Sequence, residues 1–168
     1  MSTENLYNQK AVEKLKELVE QIKIGMLCTQ VSGEKHVHAV PMSIQEVDEQ
    51  GNIWFLFSSE SESHQHLLAD STLSLLFSEP GTYSFLSIHA DSEISQDPGR
   101  IEKYWSPMVE AWFEKGKNDP RIRVLKIKPI DAHYWDNKSN KLVTFLKVAA
   151  SAVSGKQMDI GREGDLGL

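Results

Sequence analysis

Two histidine pairs, His36-x-His38 and His64-x-His66, and a serine run, Ser58, Ser59, Ser61 and Ser63, are the groups whose types and spacing suggest chemistry. On a strand, residues i and i+2 share a face, so each pair would present two imidazoles together. Neutral imidazole is a common metal ligand. No cysteine or carboxylate completes a recognised zinc spacing around either pair, so no metal is expected and solvated strand histidines are the simpler reading. The serines alternate with Glu60 and Glu62 ahead of a short apolar run. Hydroxyls and main-chain N–H groups at a helix start suit an anion cradle. They equally suit ordinary helix capping. Trp105, Trp112 and Trp135 are aromatic platforms that either stack on a planar ligand or pack in a core or interface. Packing is the reading for Trp105, and both stay open for Trp112 and Trp135. Cys28, on an apolar stretch, reads as a small buried hydrophobe. No spacing supports a Ser/His/Asp triad, and no Gly-rich GxGxxG phosphate loop is present.

Charge is distributed unevenly. From His36 to Gly99 there is no lysine and no arginine, while ten acids fall in the same 64 residues. Across all 168 residues Lys+Arg is 18 and Asp+Glu 24, a net charge of −6. That balance speaks against a nucleic-acid protein, which needs a basic face. It speaks equally against docking on an anionic membrane. A single cysteine excludes an intrachain disulfide and suits a reducing compartment. The opening MSTENLYNQK has no signal pattern, and no apolar run approaches the ~20 residues that cross a bilayer. The expectation is an acidic, cytoplasmic, single-domain protein.

The elements that must position these groups can be read from periodicity. Val12, Leu15, Leu18, Val19 and Ile22 recur at helical spacing over 11–24, with Gly25 as a stop signal. Three β-prone runs, 26–31, 36–47 and 53–58, are separated by polar turns and predict an antiparallel meander. Pro41 marks an edge position or a bulge, because it lacks a ladder donor. Residues 59–70 read as a loop entering a short helix, 73–77 and 82–94 as strands. Residues 101–112 read as helical, interrupted at Ser106-Pro107, where proline can open a second helix. A strand over 121–127 continues through 131–135. A helix is expected over 141–153, and an extended or frayed tail over 156–168. About six hairpin-linked strands with flanking helices bury both faces most economically as a small antiparallel barrel.

Several motifs, in order, carry a resemblance. They are Ile24-Gly25-Met26-Leu27-Cys28-Thr29, Pro41-Met42, the Ile53-Trp54-Phe55 strand with its serine-rich exit, and Tyr104-Trp105-Ser106-Pro107. Ala111-Trp112-Phe113, Asp119-Pro120, Tyr134-Trp135-Asp136 and Val153-Ser154-Gly155-Lys156 follow. From Val12 to Gly155 the chain resembles the general stress protein branch of the pyridoxamine phosphate oxidase-like superfamily. The resemblance implies a mainly β, six-stranded antiparallel Greek-key split barrel over 1–155, with 156–168 as a tail. It implies a homodimer with a flavin nucleotide, FMN or FAD, at the interface. The positions that the resemblance assigns to the cofactor are Val40, Pro41, Met42, Phe57, Ser58, Ser59, Ser63, His64, Trp112 and Trp135.

The chain departs from that family at charged positions. Val40 stands where members commonly carry arginine before Pro-Met, and Ser63-His64-Gln65 where they carry lysine. After Trp135 the sequence reads Lys141-Leu142-Val143-Thr144-Phe145, not Arg-Leu-His-Asp-Arg. Pyridoxamine phosphate oxidase activity itself is therefore not expected. The expected function is a stress-related flavin-binding protein, an oxidoreductase of unspecified substrate. The alternative is a cofactor-free split-barrel dimer acting as a binding or interaction module. If imidazolium replaces the missing arginine, FMN should bind more tightly near pH 6 than pH 8.

Overall fold

The computed structural model describes residues 2–30, 36–137 and 161–168. Two short strands, β1 (Ser2–Thr3) and β2 (Leu6–Tyr7), precede helix α1 (Gln9–Ile22). Strands β3 (Ile24–Thr29), β4 (His38–Ser43), β5 (Glu46–Val47) and β6 (Ile53–Ser58) follow, then helix α2 (Glu62–Ala69). Strands β7 (Thr72–Glu79) and β8 (Ser84–Ser95) lead to helices α3 (Pro98–Tyr104) and α4 (Pro107–Glu110). Strands β9 (Ile122–Asn137) and β10 (Gly161–Gly167) complete the sheet. The expected helix over 141–153 and the Val153–Lys156 motif lie outside the described residues. Of the expected tail, 161–167 is extended: β10 pairs antiparallel with β9 and parallel with β1 and β2.

The strand order is β1-β10-β9-β8-β7-β3-β4, a ten-stranded sheet that does not close fully. β9 is its seam. One edge pairs with β8 along most of its length. Its other edge pairs first with β6, through residues 122–127, then with β10, through 132–137. The ladder shifts register between His89 and Ala90, opposite Pro129, where proline cannot donate. That bulge lets the two predicted strand halves run as one.

The predicted meander holds for β3 with β4, which pair from Ile24↔Ser43 to Thr29↔His38. Between β4 and β6 it holds only at a corner. There Ile44 donates its N–H to the Lys23 carbonyl, and Gln45 donates to that of Trp54. β5 then pairs with β6 at Glu46↔Trp54 and Val47↔Ile53. Beyond the corner, residues 38–43 and 55–58 share no ladder, and the barrel wall is open between them. Pro41 sits on this unpaired edge, as its missing N–H predicts.

Alternating residues of the strands fill the core, among them Leu27, Phe55, Leu75, Ile88, Leu125 and Tyr134. Helix α1 covers it with Ala11, Leu15, Leu18 and Val19. The helix ends earlier than Gly25 suggested. Lys23 takes the left-handed conformation (φ 64°), and its N–H caps the Val19 carbonyl. Gly25 serves another purpose: a Cβ there would lie 2.5 Å from Phe77 Cε1.

Candidate functional site

The opening between β4 and β6 is a cleft of about 530 Å³. Such a volume falls in the range of small-molecule sites, about 300–1,000 Å³. One wall is β4, where Val40 and Met42 pack inward on the core and Pro41 is exposed. Facing it are Leu56, Phe57 and Ser58 of β6. Met108, Val109, Trp112 and Phe113, in and just after α4, form the upper rim. Ser61, Glu62 and Ser63 at the start of α2 form the lower end. The cleft thus has apolar walls and a polar floor.

The serines of the predicted run do not act as one cradle. Ser58 Oγ accepts from the Glu60 N–H at 3.1 Å. Ser61 is the N-cap of α2: its Oγ accepts from the His64 N–H at 3.2 Å and donates to the Ser58 carbonyl at 2.7 Å. Ser59 lies off the cleft, its N–H on the Arg121 carbonyl. Ser63 is 3% exposed and lines the cleft, yet its hydroxyl has no hydrogen-bond partner among the described residues.

The other expected residues divide. Val40, Pro41, Met42, Phe57 and Trp112 all border the cleft. Trp112, 79% exposed, projects at the mouth. His64 is buried beneath the wall, its ring 5.6 Å from the Phe57 ring. Burial, and then the charge of Arg123, hold its pKa below the ordinary histidine value. Trp135 sits away from the cleft, opposite Phe85 and Glu163, its ring tilted against that of His133 with centroids 4.5 Å apart. Trp105 packs against Phe113, with ring centroids 6.4 Å apart. Cys28 is half-buried, and burial pushes its thiol pKa up.

The histidines meet across the two sequence pairs. His38 and His66 stand edge to face at 5.2 Å. Glu62 lies between them, 3.5 Å from His38 Nδ1 and 3.9 Å from His66 Nε2. Thr29 Oγ1 is 3.0 Å from His66 Nδ1. Among the described residues no group of three His, Cys, Asp or Glu side chains is placed to hold a metal.

Sequence reasoning did not place Arg123, which lies beside a cleft strand without lining the cleft. It lies outside the cation-free window, but antiparallel pairing sets it directly opposite Phe57. Its Nη1 donates to the carbonyls of Pro120 and Ile122. Arg121 beside it is committed to Asp119 at 2.7 Å and reaches Glu60 at 3.5 Å. The signal was the basic alternation Arg121, Arg123 on a strand; its destination needed the register.

Comparison with known proteins agrees with this architecture. The family described as pyridoxamine 5'-phosphate oxidase like matches residues 10–159. Protein bli-3 of Neurospora crassa is 25% identical over 172 residues, spanning 96% of this chain and 81% of its own. A structure from Jannaschia sp. CCS1, provisionally assigned as general stress protein 26, superposes with a TM-score of 0.79. It is 21% identical and covers 95% of this chain and 99% of that one, a likeness of fold. The general stress FMN/FAD binding protein of Xanthomonas citri has a TM-score of 0.66 at 29% identity, covering 79% of this chain and 93% of that one. With its open β4–β6 wall and a family match over most of its length, the chain belongs to the pyridoxamine 5'-phosphate oxidase-like family, among neighbours that carry general stress protein names.

Proposed function

We propose that this protein binds a flavin nucleotide, FMN or FAD, in the cleft between β4 and β6 and works as a homodimer. The observation that carries this reading is the chemistry of the cleft. Its walls, Val40, Pro41, Met42, Phe57 and the Trp112 indole, suit a flat, largely apolar ring system. Its floor offers hydroxyls, and Ser63, which lines the cleft without a side-chain hydrogen bond among the described residues, suits a polar ligand group there. The Xanthomonas neighbour, described as FMN/FAD binding, points the same way. When bound, a flavin supplies electron and hydride transfer, and the protein supplies position and electrostatics. The chain's own part is to wall the ring from water and meet the anionic end with donors. An oxidoreductase of unassigned substrate follows, acting in the cytoplasm. Pyridoxamine phosphate oxidase activity does not follow, given the altered segment after Trp135.

The dimer rests on the outer face of the sheet. Pro41, Met26 and Leu76 occupy one cross-strand row, with Met26 38% and Leu76 45% exposed. Ile24, 56% exposed, lies two residues along β3 on the same face. Pro41 joins this apolar row directly to the cleft. Continuing across the sheet, the row passes through Ser87 to His133, two residues from Trp135. A second copy laid on this face would cover this row together with His133 and Trp135.

The test is to purify the native protein, record its visible absorption, and identify released small molecules by mass spectrometry. A yellow protein releasing FMN or FAD is the expected result. A colourless dimer that takes up neither overturns it and leaves the cofactor-free module. Sedimentation showing only 19.0 kDa particles at micromolar concentration overturns the dimer.

A further inference from the structure

We propose that His133, set between Asp165 and Glu163 on the outer face of the sheet, makes self-association of this chain proton-dependent. Two copies join on this face when the imidazole is charged and part more readily when it is neutral. This rests on the homodimer reading above and adds what controls it.

The strand register lays out the face in rows. Pro41, Met26, Leu76, Ser87, His133 and Asp165 follow one another across the sheet. Beside them run Ala39, Cys28, Ser74, His89 and Asp131. On the other side Phe85, Trp135 and Glu163 lie in line. The alternate residues of the same strands, among them Leu27, Leu75, Ile88 and Tyr134, fill the core, so these rows look outward. The β3–β4 half of the face is apolar, and the β9–β10 half carries Asp131, Glu163 and Asp165. Among the described residues of these rows there is no lysine and no arginine. His89 and His133 are the side chains there that gain positive charge near neutral pH.

His133 is the one in contact with acids. From β10, Asp165 Oδ1 lies 2.7 Å from its Nδ1, and Glu163 Oε2 lies 4.0 Å from its Nε2. From β8 its neighbour is the uncharged Ser87. On β9 itself Asp131 and Trp135 stand two residues to either side, on the same face. Cations at adjoining positions are engaged elsewhere. Arg162 reaches Asp136 and Glu4, and Lys128, opposite Asp91 in the row beyond His89, pairs with Glu93.

This distribution selects the occupant. With neutral imidazoles the face holds negative charge alone, and laying it on itself crowds and desolvates like charges. With His133 charged, the same face carries both signs beside an apolar half. Such a face is complementary to itself about a two-fold axis, as an interface between identical copies requires. Association then takes up protons, so by linkage it strengthens as pH falls from 8 to 6.

The test is the self-association constant of the full chain, fluorescently labelled and diluted, read by energy transfer at pH 6 and pH 8 at constant ionic strength. Wild type is expected to dissociate about tenfold more readily at pH 8. His133→Gln keeps a polar group that cannot charge, and should show the weaker value at both pH values. Asp165→Asn, at a side chain 69% exposed, should tighten association at pH 8 several-fold. Equal weakening by His133→Gln at both pH values, with the pH difference retained, overturns the proposal. Loss of the pH difference in His89→Gln alone overturns the assignment to His133. A wild-type dimer of equal affinity at pH 6 and 8 overturns proton control and leaves the homodimer standing. A monomer at every concentration and both pH values overturns both. For a dimer that persists at the lowest concentration, subunit exchange between donor- and acceptor-labelled samples gives the readout. Exchange about tenfold faster at pH 8 is expected, and equal rates overturn the proposal.

Discussion

Lys14 Nζ lies 2.6 Å from Asp136 Oδ2, joining residues 122 positions apart in the chain. The lysine side chain is 5% exposed and the aspartate 12%. Arg162 of β10 reaches the same oxygen at 3.3 Å. Helix α1, β9 and β10 are thereby clasped at one end of the sheet by a charge network, where the α1 stripe alone would suggest only apolar packing. Ser84 donates to the other Asp136 oxygen at 3.3 Å.

Breaking this clasp leaves a buried carboxylate short of its main partner. Lys14→Ala should lower stability by about 3 kcal/mol, read from urea unfolding. Burial pushes the Asp136 pKa up, but the Lys14 hydrogen bond and charge, with Arg162, hold it below the ordinary carboxylate value. A carboxylate lowered in the folded state stabilises above its unfolded pKa, about 3.9. That contribution disappears as pH falls through the folded value. The Lys14→Ala penalty should therefore be full at pH 7 and shrink in strong acid. A penalty independent of pH down to 2 would contradict the clasp.

Gly25 is a second pressure point. Any side chain there meets the Phe77 ring, itself 2% exposed. Gly25→Ala should cost about 1–3 kcal/mol through overpacking. Gly25→Ala combined with Phe77→Leu should recover part of the loss, because the colliding ring is gone. Denaturation midpoints of these two variants and of Phe77→Leu alone decide it.

Trp112 offers the opposite profile. At 79% exposure its removal should leave thermal stability nearly unchanged. If it stacks on the flavin, Trp112→Ala should weaken flavin binding about two- to tenfold, for FMN and riboflavin alike. An unchanged affinity would return Trp112 to simple rim packing.

The pH dependence anticipated from the sequence, tighter FMN binding near pH 6 than pH 8, needs adjustment. Burial and the neighbouring Arg123 charge lower the His64 pKa below its usual 6.5 or so. Protonated His64 favours an anion, so affinity should rise as pH falls through that lowered value and be nearly flat between pH 8 and 7. His64→Gln should remove the acid-side rise and leave the slope from titration of the phosphate itself, whose second pKa is near 6. A wild-type curve superimposing on that of His64→Gln would exclude the imidazole.

Much of the fold was legible in local pattern. The 53–58 strand, the break at Ser106-Pro107 and the edge role of Pro41 follow from periodicity and proline chemistry, which act within a few residues. The motif order from Ile24 to Asp136 was enough to indicate the family, and the cleft walls at Val40, Pro41, Met42 and Phe57 came with it. Gly25 was misread because a stop signal and a packing void demand the same residue, and only the position of Phe77 separates them.

What the residues alone could determine was the core strands β3, β4 and β6 to β9 with helices α1 to α4, and that no cation lies between His36 and Gly99. Tertiary structure decided which distant groups meet: Arg123 with Phe57, His38 with His66, Lys14 with Asp136. Those pairings depend on strand register, where a shift of one residue sends a side chain to the opposite face. Register is set by the burial of all the strands together, so it cannot be read from any one of them.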